Sequence, residues 1–257
     1  MSIPETQLPP TPRTRSHWRI IWTGALSFLA AIAMCIVFVV FMMIVAFIFS
    51  AVKGSGSFET LMGSPLFLLS LLVAVELPLA GVGLFLRFID RKSEFRPQVL
   101  FETINLRAIL VGIGTGFALL LFGALNAFIA TQIFGKVSTE SMEAVTRAVA
   151  EMRGHPAKAA AALFVIGVLA PVCEELFFRG ALFARGHAAG KAWTAALVSS
   201  ILFAAAHMNG AMSLYYFGVG FMMCFLFRKT RTLATPIVAH MTVNLTACVA
   251  MLFGVDS

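Results

Sequence analysis

The chain has 257 residues, of which 60% are hydrophobic and only 12% charged, and its mean hydropathy is +0.92. A soluble domain is nearer half apolar and a quarter charged, so one water-soluble core is excluded. The formal charge of +7 does not mark a nucleic-acid partner, because the basic residues sit in short clusters between apolar stretches. Clusters so placed set topology and meet anionic headgroups, and membrane lipid is the partner they imply.

Residues 1–19 form a polar tail with Pro4, Pro9, Pro10 and Pro12. It is expected to be disordered and cytoplasmic, and not a cleavable signal, since the apolar run behind it is too long for one. Seven apolar runs follow, at 20–51, 65–88, 108–134, 157–178, 192–207, 211–227 and 233–253. An eighth element has room in the long first run or among the short later ones. The expected fold is all-α, a polytopic transmembrane helix bundle of seven to eight spans.

Basic residues cluster in alternate loops: Arg13, Arg15 and Arg19; Arg87, Arg91, Lys92, Arg96 and Arg107; Arg179, Arg185 and Lys191; Arg228, Lys229 and Arg231. That alternation places the N-terminus in the cytoplasm and the C-terminus outside, in a multi-pass protein of the plasma (inner) membrane.

Between the third and fourth runs, Ser138 or Thr139 can cap a helix with Glu140 and Glu143 in its first turn. Met142, Val145, Val149 and Met152 share one face of it, and Gly154-His155-Pro156 ends it. It reads as a short helix on the membrane surface. The chain thus divides into the tail (1–19), N-terminal helices with this surface helix (20–156), and a core at 157–253.

Ionisable groups inside spans are costly, so each calls for a reason. Glu175 and Arg179 lie four apart and can pair on one helix face, while Glu174 points about 100° away and stays free to exchange protons. Phe203 and His207 stack one turn apart, and so do His240 and Asn244, which suits two convergent donors to an oxyanion. At about 1.5 Å per residue the three clusters fall roughly 12–21 Å from the inner surface of a ~30 Å core, so one site is geometrically possible. Glu76 and Asn126 read as structural hydrogen-bonding groups, Gly112 to Gly116 as a helix-packing seam, and the four cysteines as small buried hydrophobes.

Glu174-Glu175-x-x-x-Arg179, then Phe203-x-x-x-His207, then His240-x-x-x-Asn244, in that order on separate spans, resembles the CPBP family. These are the CAAX-protease and bacteriocin-processing membrane proteins, also called the ABI family. The resemblance covers about residues 157–253 and implies an intramembrane endopeptidase acting on a membrane-associated peptide or protein. It implies that Glu174 and His207 activate a water, and that His240 and Asn244 steady the tetrahedral intermediate. Glu175, Arg179 and Phe203 would shape the site.

Members have been labelled metalloproteases, and a metal-free glutamate mechanism is also held for them. Glu174, His207 and His240 would make a His₂Glu set with an open position, yet no HExxH is present. The reading is no cofactor, with zinc or another divalent metal as the alternative. Two other classes keep the same intramembrane groups: a proton-coupled transporter, whose polar path would reach both faces, and a non-catalytic membrane adaptor. Nothing in the chain selects a prenyl group or fixes an oligomeric state.

Overall fold

The computed structural model describes residues 16–53, 57–90 and 104–254, and every element among them is helical. Most of the N-terminal tail and the basic residues Arg91, Lys92 and Arg96 lie outside the described residues.

Helix α1 (His17–Lys53) runs 37 residues, about 55 Å at 1.5 Å per residue, and overreaches a ~30 Å hydrocarbon core. A short α2 (Ser57–Met62) leads into α3 (Pro65–Asp90). The next element, α4 (Leu106–Phe134), is capped by Asn105, whose side chain accepts from the Ala108 amide at 2.9 Å. It stops at Gly135, whose φ of 77° favours glycine. Next comes α5 (Glu140–Glu151), the short helix expected between the third and fourth runs. Thr139, not Ser138, accepts from the Met142 amide; Ser138 instead donates to Glu143, which Lys136 also pairs. Val149 and Met152 of its apolar face are fully buried.

The fourth apolar run is longer than expected. One continuous helix, α6, occupies Pro156–Ala188, whereas the charge at Arg179 had set its expected end at residue 178. Arg179 is 0% exposed and paired within the helix, so it does not mark a loop and does not count toward topology. Three elements complete the bundle: α7 (Ala192–Ala206), α8 (Ser213–Thr230) and α9 (Ala234–Phe253).

Five of these helices, α1, α3, α4, α6 and α9, are long and apolar enough to cross a membrane. The helices at the other two expected spans, α7 and α8, account for the difference from seven. Helix α7 has 15 residues, about 22 Å, short of a ~30 Å core. Helix α8 carries Arg228 and Lys229 in its last turn.

Helix α6 is central and packs on α3, α7, α8 and α9; α1 lies along α3, α7 along α8, and α4 along α9. The α4–α9 seam is set by small residues. A Cβ at Gly112 would sit 2.8 Å from the Thr235 carbonyl oxygen, and one at Gly116 2.8 Å from that of Ala239. Only glycine lets the backbones approach this closely, whereas Gly114, on the other face, meets nothing within 4 Å. After α7 the chain turns through Met208, at a φ of 46°, into buried Asn209. The Asn209 amide donates to the Val137 carbonyl at 3.0 Å and thereby ties this turn to the one after α4.

Candidate active site

Helix α6 carries two widened π turns, Val165–Leu169 and Phe178–Phe183, on either side of the double glutamate. The first has its cause in the sequence. Ala170 bonds back five residues to the Val165 carbonyl. In that register the next donor would be residue 171, but Pro171 has no N–H. The Ile166 carbonyl is thus left for a side chain, and Asn244 donates to it at 3.1 Å. At the second π turn, Ser199 donates to the Phe178 carbonyl at 2.9 Å and Arg87 to that of Gly180 at 2.7 Å.

Between the two turns lies a buried ionic cluster. Arg179 Nη1 donates to Glu175 Oε1 at 2.7 Å, and Nη2 donates to the Gly220 carbonyl at 3.1 Å. Glu175 is 0% exposed, like its partner. The same Oε1 lies 3.0 Å from Nδ1 of His240, itself 4% exposed. Beside Arg179 the carboxylate can only accept, so Nδ1 of His240 carries the proton. Its Nε2 is then a hydrogen-bond donor only in the doubly protonated ring.

The Phe203 ring sits at the junction. The Arg179 guanidinium carbon is 4.5 Å from its centroid, the His207 ring 4.6 Å and the His240 ring 5.9 Å. A cation over a ring face suits the aromatic quadrupole.

Glu174 points elsewhere. It lines a cavity of about 550 Å³ bounded by α1, α3, α6 and the end of α7, with walls that are apolar apart from Cys35, Glu76, Glu174 and His207. Its Oε2 has no hydrogen-bond partner. His207 caps α7 and reaches the same cavity. Its Nδ1 lies 2.9 Å from the Phe203 carbonyl; a carbonyl only accepts, so Nδ1 holds the proton and the neutral ring keeps its lone pair on Nε2. Tyr216 of α8 stacks on this ring at 4.0 Å between centroids.

The structure therefore gathers Glu175, Arg179, Phe203 and His240 into one contact network, with His207 joined through Phe203, and puts Glu174 and His207 on one cavity. It does not bring His240 and Asn244 to a shared partner: one bonds Glu175, the other the α6 backbone. Among the described residues no three His, Cys, Asp or Glu side chains are grouped at ligand spacing. Glu174, His207 and His240 as arranged do not fit a His₂Glu metal set.

Two further residues of this region carry no motif in the sequence. Glu76 was read as a structural hydrogen bonder, yet its Oε2 is buried without a partner in the cavity wall. Tyr216 had as its only signal that the chain has two tyrosines, side by side in α8.

Fold and site together define a polytopic helical membrane protein with a buried carboxylate–arginine–histidine network beside an apolar cavity. Within that class, residues 156–246 match the model of the type II CAAX prenyl endopeptidase Rce1-like proteins. The chain is 30% identical over 82 residues to the "Putative membrane peptidase YdiL" of Bacillus subtilis (strain 168), covering 32% of this chain and 34% of that protein. It is 29% identical over 140 residues to the membrane-embedded CAAX protease MroQ of Staphylococcus aureus (strain USA300), covering 50% of this chain and 53% of that one. The matches thus span a third to a half of the curated relatives. No solved structure matches the chain.

Proposed function

We propose that this protein is an intramembrane endopeptidase that cleaves a membrane-associated peptide or protein by activating water. The observation that carries the reading is the division of labour between adjacent glutamates. Glu175 is locked by Arg179 and His240, whereas Glu174, whose Oε2 is buried without a hydrogen-bond partner, lines the cavity that holds His207.

A water between Glu174 and Nε2 of His207 would meet two acceptors and so lie oriented for attack. Its proton passes to the Glu174 carboxylate as its oxygen bonds the scissile carbonyl carbon. The carbonyl π electrons move to oxygen, giving an oxyanion. The donors assigned to it are Nε2–H of His240 in its doubly protonated form and the second amide hydrogen of Asn244. Collapse breaks the C–N bond as Glu174 returns the proton to the leaving nitrogen. The apolar walls limit bulk water around these charges.

In this reading residues 157–253 form the catalytic core, and α7 and α8 complete seven crossings. The N-terminus is cytoplasmic and the membrane is the plasma membrane.

The test is cleavage of a panel of labelled membrane-tethered peptides by the purified full chain in liposomes. Wild type is compared with Glu174→Gln, with EDTA and added zinc as parallel conditions. Cutting by wild type and its loss in a folded Glu174→Gln protein is the expected result. A variant that still cuts at the normal rate removes Glu174 as the base, and loss of wild-type cutting in EDTA, restored by zinc, replaces the metal-free scheme.

A further inference from the structure

Glu76 is a carboxyl group in the middle of α3, 8% exposed, and nothing in the mechanism above uses it. Its Oε2 is buried with no hydrogen-bond partner, as is Oε2 of Glu174. Both side chains line the same cavity. Three other titratable groups line that cavity with Glu76: Cys35 of α1, Glu174 of α6 and His207 of α7. The Cys35 thiol is committed to the Val75 carbonyl at 3.2 Å. Arg179, the buried cation nearest in sequence to Glu174, is committed to Glu175 and Gly220. Among the described residues neither Glu76 nor Glu174 has a salt-bridge partner.

Two carboxylates in one apolar wall, with no cation between them, cannot both stay ionised without a large desolvation and repulsion cost. The low-energy arrangement keeps one proton on the pair and places it in a hydrogen bond between them, as in paired-carboxylate sites. Which member keeps the proton follows from surroundings. Glu76 is the more enclosed, in the wall between α1 and α3. Glu174 has His207 on its cavity to share a water, and so is the member better solvated when charged.

We propose that Glu76 is a positioning residue: as a neutral carboxylic acid it donates its O–H to Glu174 and holds that carboxylate toward the cavity. This rests on the reading of the cavity as the proteolytic site. The Glu76 proton is not consumed. Water gives its proton to the free oxygen of Glu174, which returns it to the leaving nitrogen, while the Glu76 O–H stays bonded to the other oxygen and fixes which one faces substrate. A neutral acid beside a base also leaves one negative charge, not two, opposite the developing oxyanion.

Infrared spectra of the full chain in liposomes test the pairing without any substrate. The carbonyl stretch of a protonated carboxylic acid should be present in wild type at neutral pH and absent from Glu76→Gln. It should shift in Glu174→Gln, where the acceptor has changed. A missing wild-type band, or one that Glu174→Gln leaves in place, overturns the proposal. In peptide cleavage, Glu76→Gln keeps a donor and should stay within a few-fold of wild type. Glu76→Leu fills the space without a donor and should lose kcat about tenfold to a hundredfold at unchanged KM, the range expected for one hydrogen bond to a charged group. A Leu variant equal to wild type, or an effect carried entirely by KM, overturns it as well. If wild type cuts nothing, the proteolytic reading fails, and the infrared bands still decide whether the carboxyl pair exists.

Discussion

The side-chain amide of Asn244 bonds the Ile166 carbonyl at 3.1 Å, the carbonyl that Pro171, lacking an N–H, leaves without a backbone donor. One residue type thus creates the vacancy and another, on α9, fills it. Asn244→Ala should orphan that carbonyl and cost about 1–3 kcal/mol in thermal unfolding of the solubilised protein. Adding Pro171→Ala restores a backbone N–H and should return part of the lost stability. A double variant no more stable than Asn244→Ala alone would show that the proline is not the cause.

Arg179 and Glu175 form a buried pair at 2.7 Å, so removing one partner strands the other. Arg179→Met should destabilise by roughly 3–5 kcal/mol. Glu175→Gln with Arg179→Met should cost less than the two single changes summed, because no uncompensated charge remains. Chemical denaturation of all four proteins closes the cycle, and additive costs would argue against a coupled pair.

Tyr216 holds one face of the His207 ring at 4.0 Å. Tyr216→Leu should lower peptide cleavage about threefold to tenfold, the worth of a good aromatic contact. Tyr216→Phe keeps the ring and should stay near wild type. If Phe falls as far as Leu, the hydroxyl, not the stacking, is what matters.

The glycine seam gives a contrast within one helix. A Cβ at Gly116 meets the Ala239 carbonyl and Thr242, so Gly116→Ala should cost about 1–3 kcal/mol through overpacking. It should also lower activity, since His240 lies between those two contacts. Gly114→Ala faces open space and should be neutral or slightly stabilising, because alanine favours a helix. Melting temperatures of the pair decide the matter; equal effects would mean that the seam does not set the α4–α9 distance.

Much of this was legible because apolar runs and i,i+4 spacing are local. The Glu175–Arg179 pair, the Phe203–His207 stack, the α5 helix and the glycine seam could all be read from spacing. The end of α6 was misplaced for a physical reason: a charge normally closes a span, but an ion pair inside one helix cancels that signal. Bonds between helices were not legible. Nothing local says that His240 bonds Glu175, that Asn244 bonds a carbonyl freed by a proline, or that Glu76 of α3 lines the same cavity as Glu174. Those depend on the depth and rotation at which separate helices meet, which one sequence does not encode in its spacing.

The buried arginine also bears on how the protein is made. Because Glu175 sits one turn before Arg179 on the same helix, α6 can enter the bilayer with that turn already neutral, and the cost of inserting a lone cation is avoided. The remaining partners, the Gly220 carbonyl and the His240 ring, belong to α8 and α9, which are synthesised later. Insertion of α6 and completion of the site are therefore separate events. Helix α6 can already be threaded through the membrane while the geometry of the candidate site still waits for α8 and α9 to arrive.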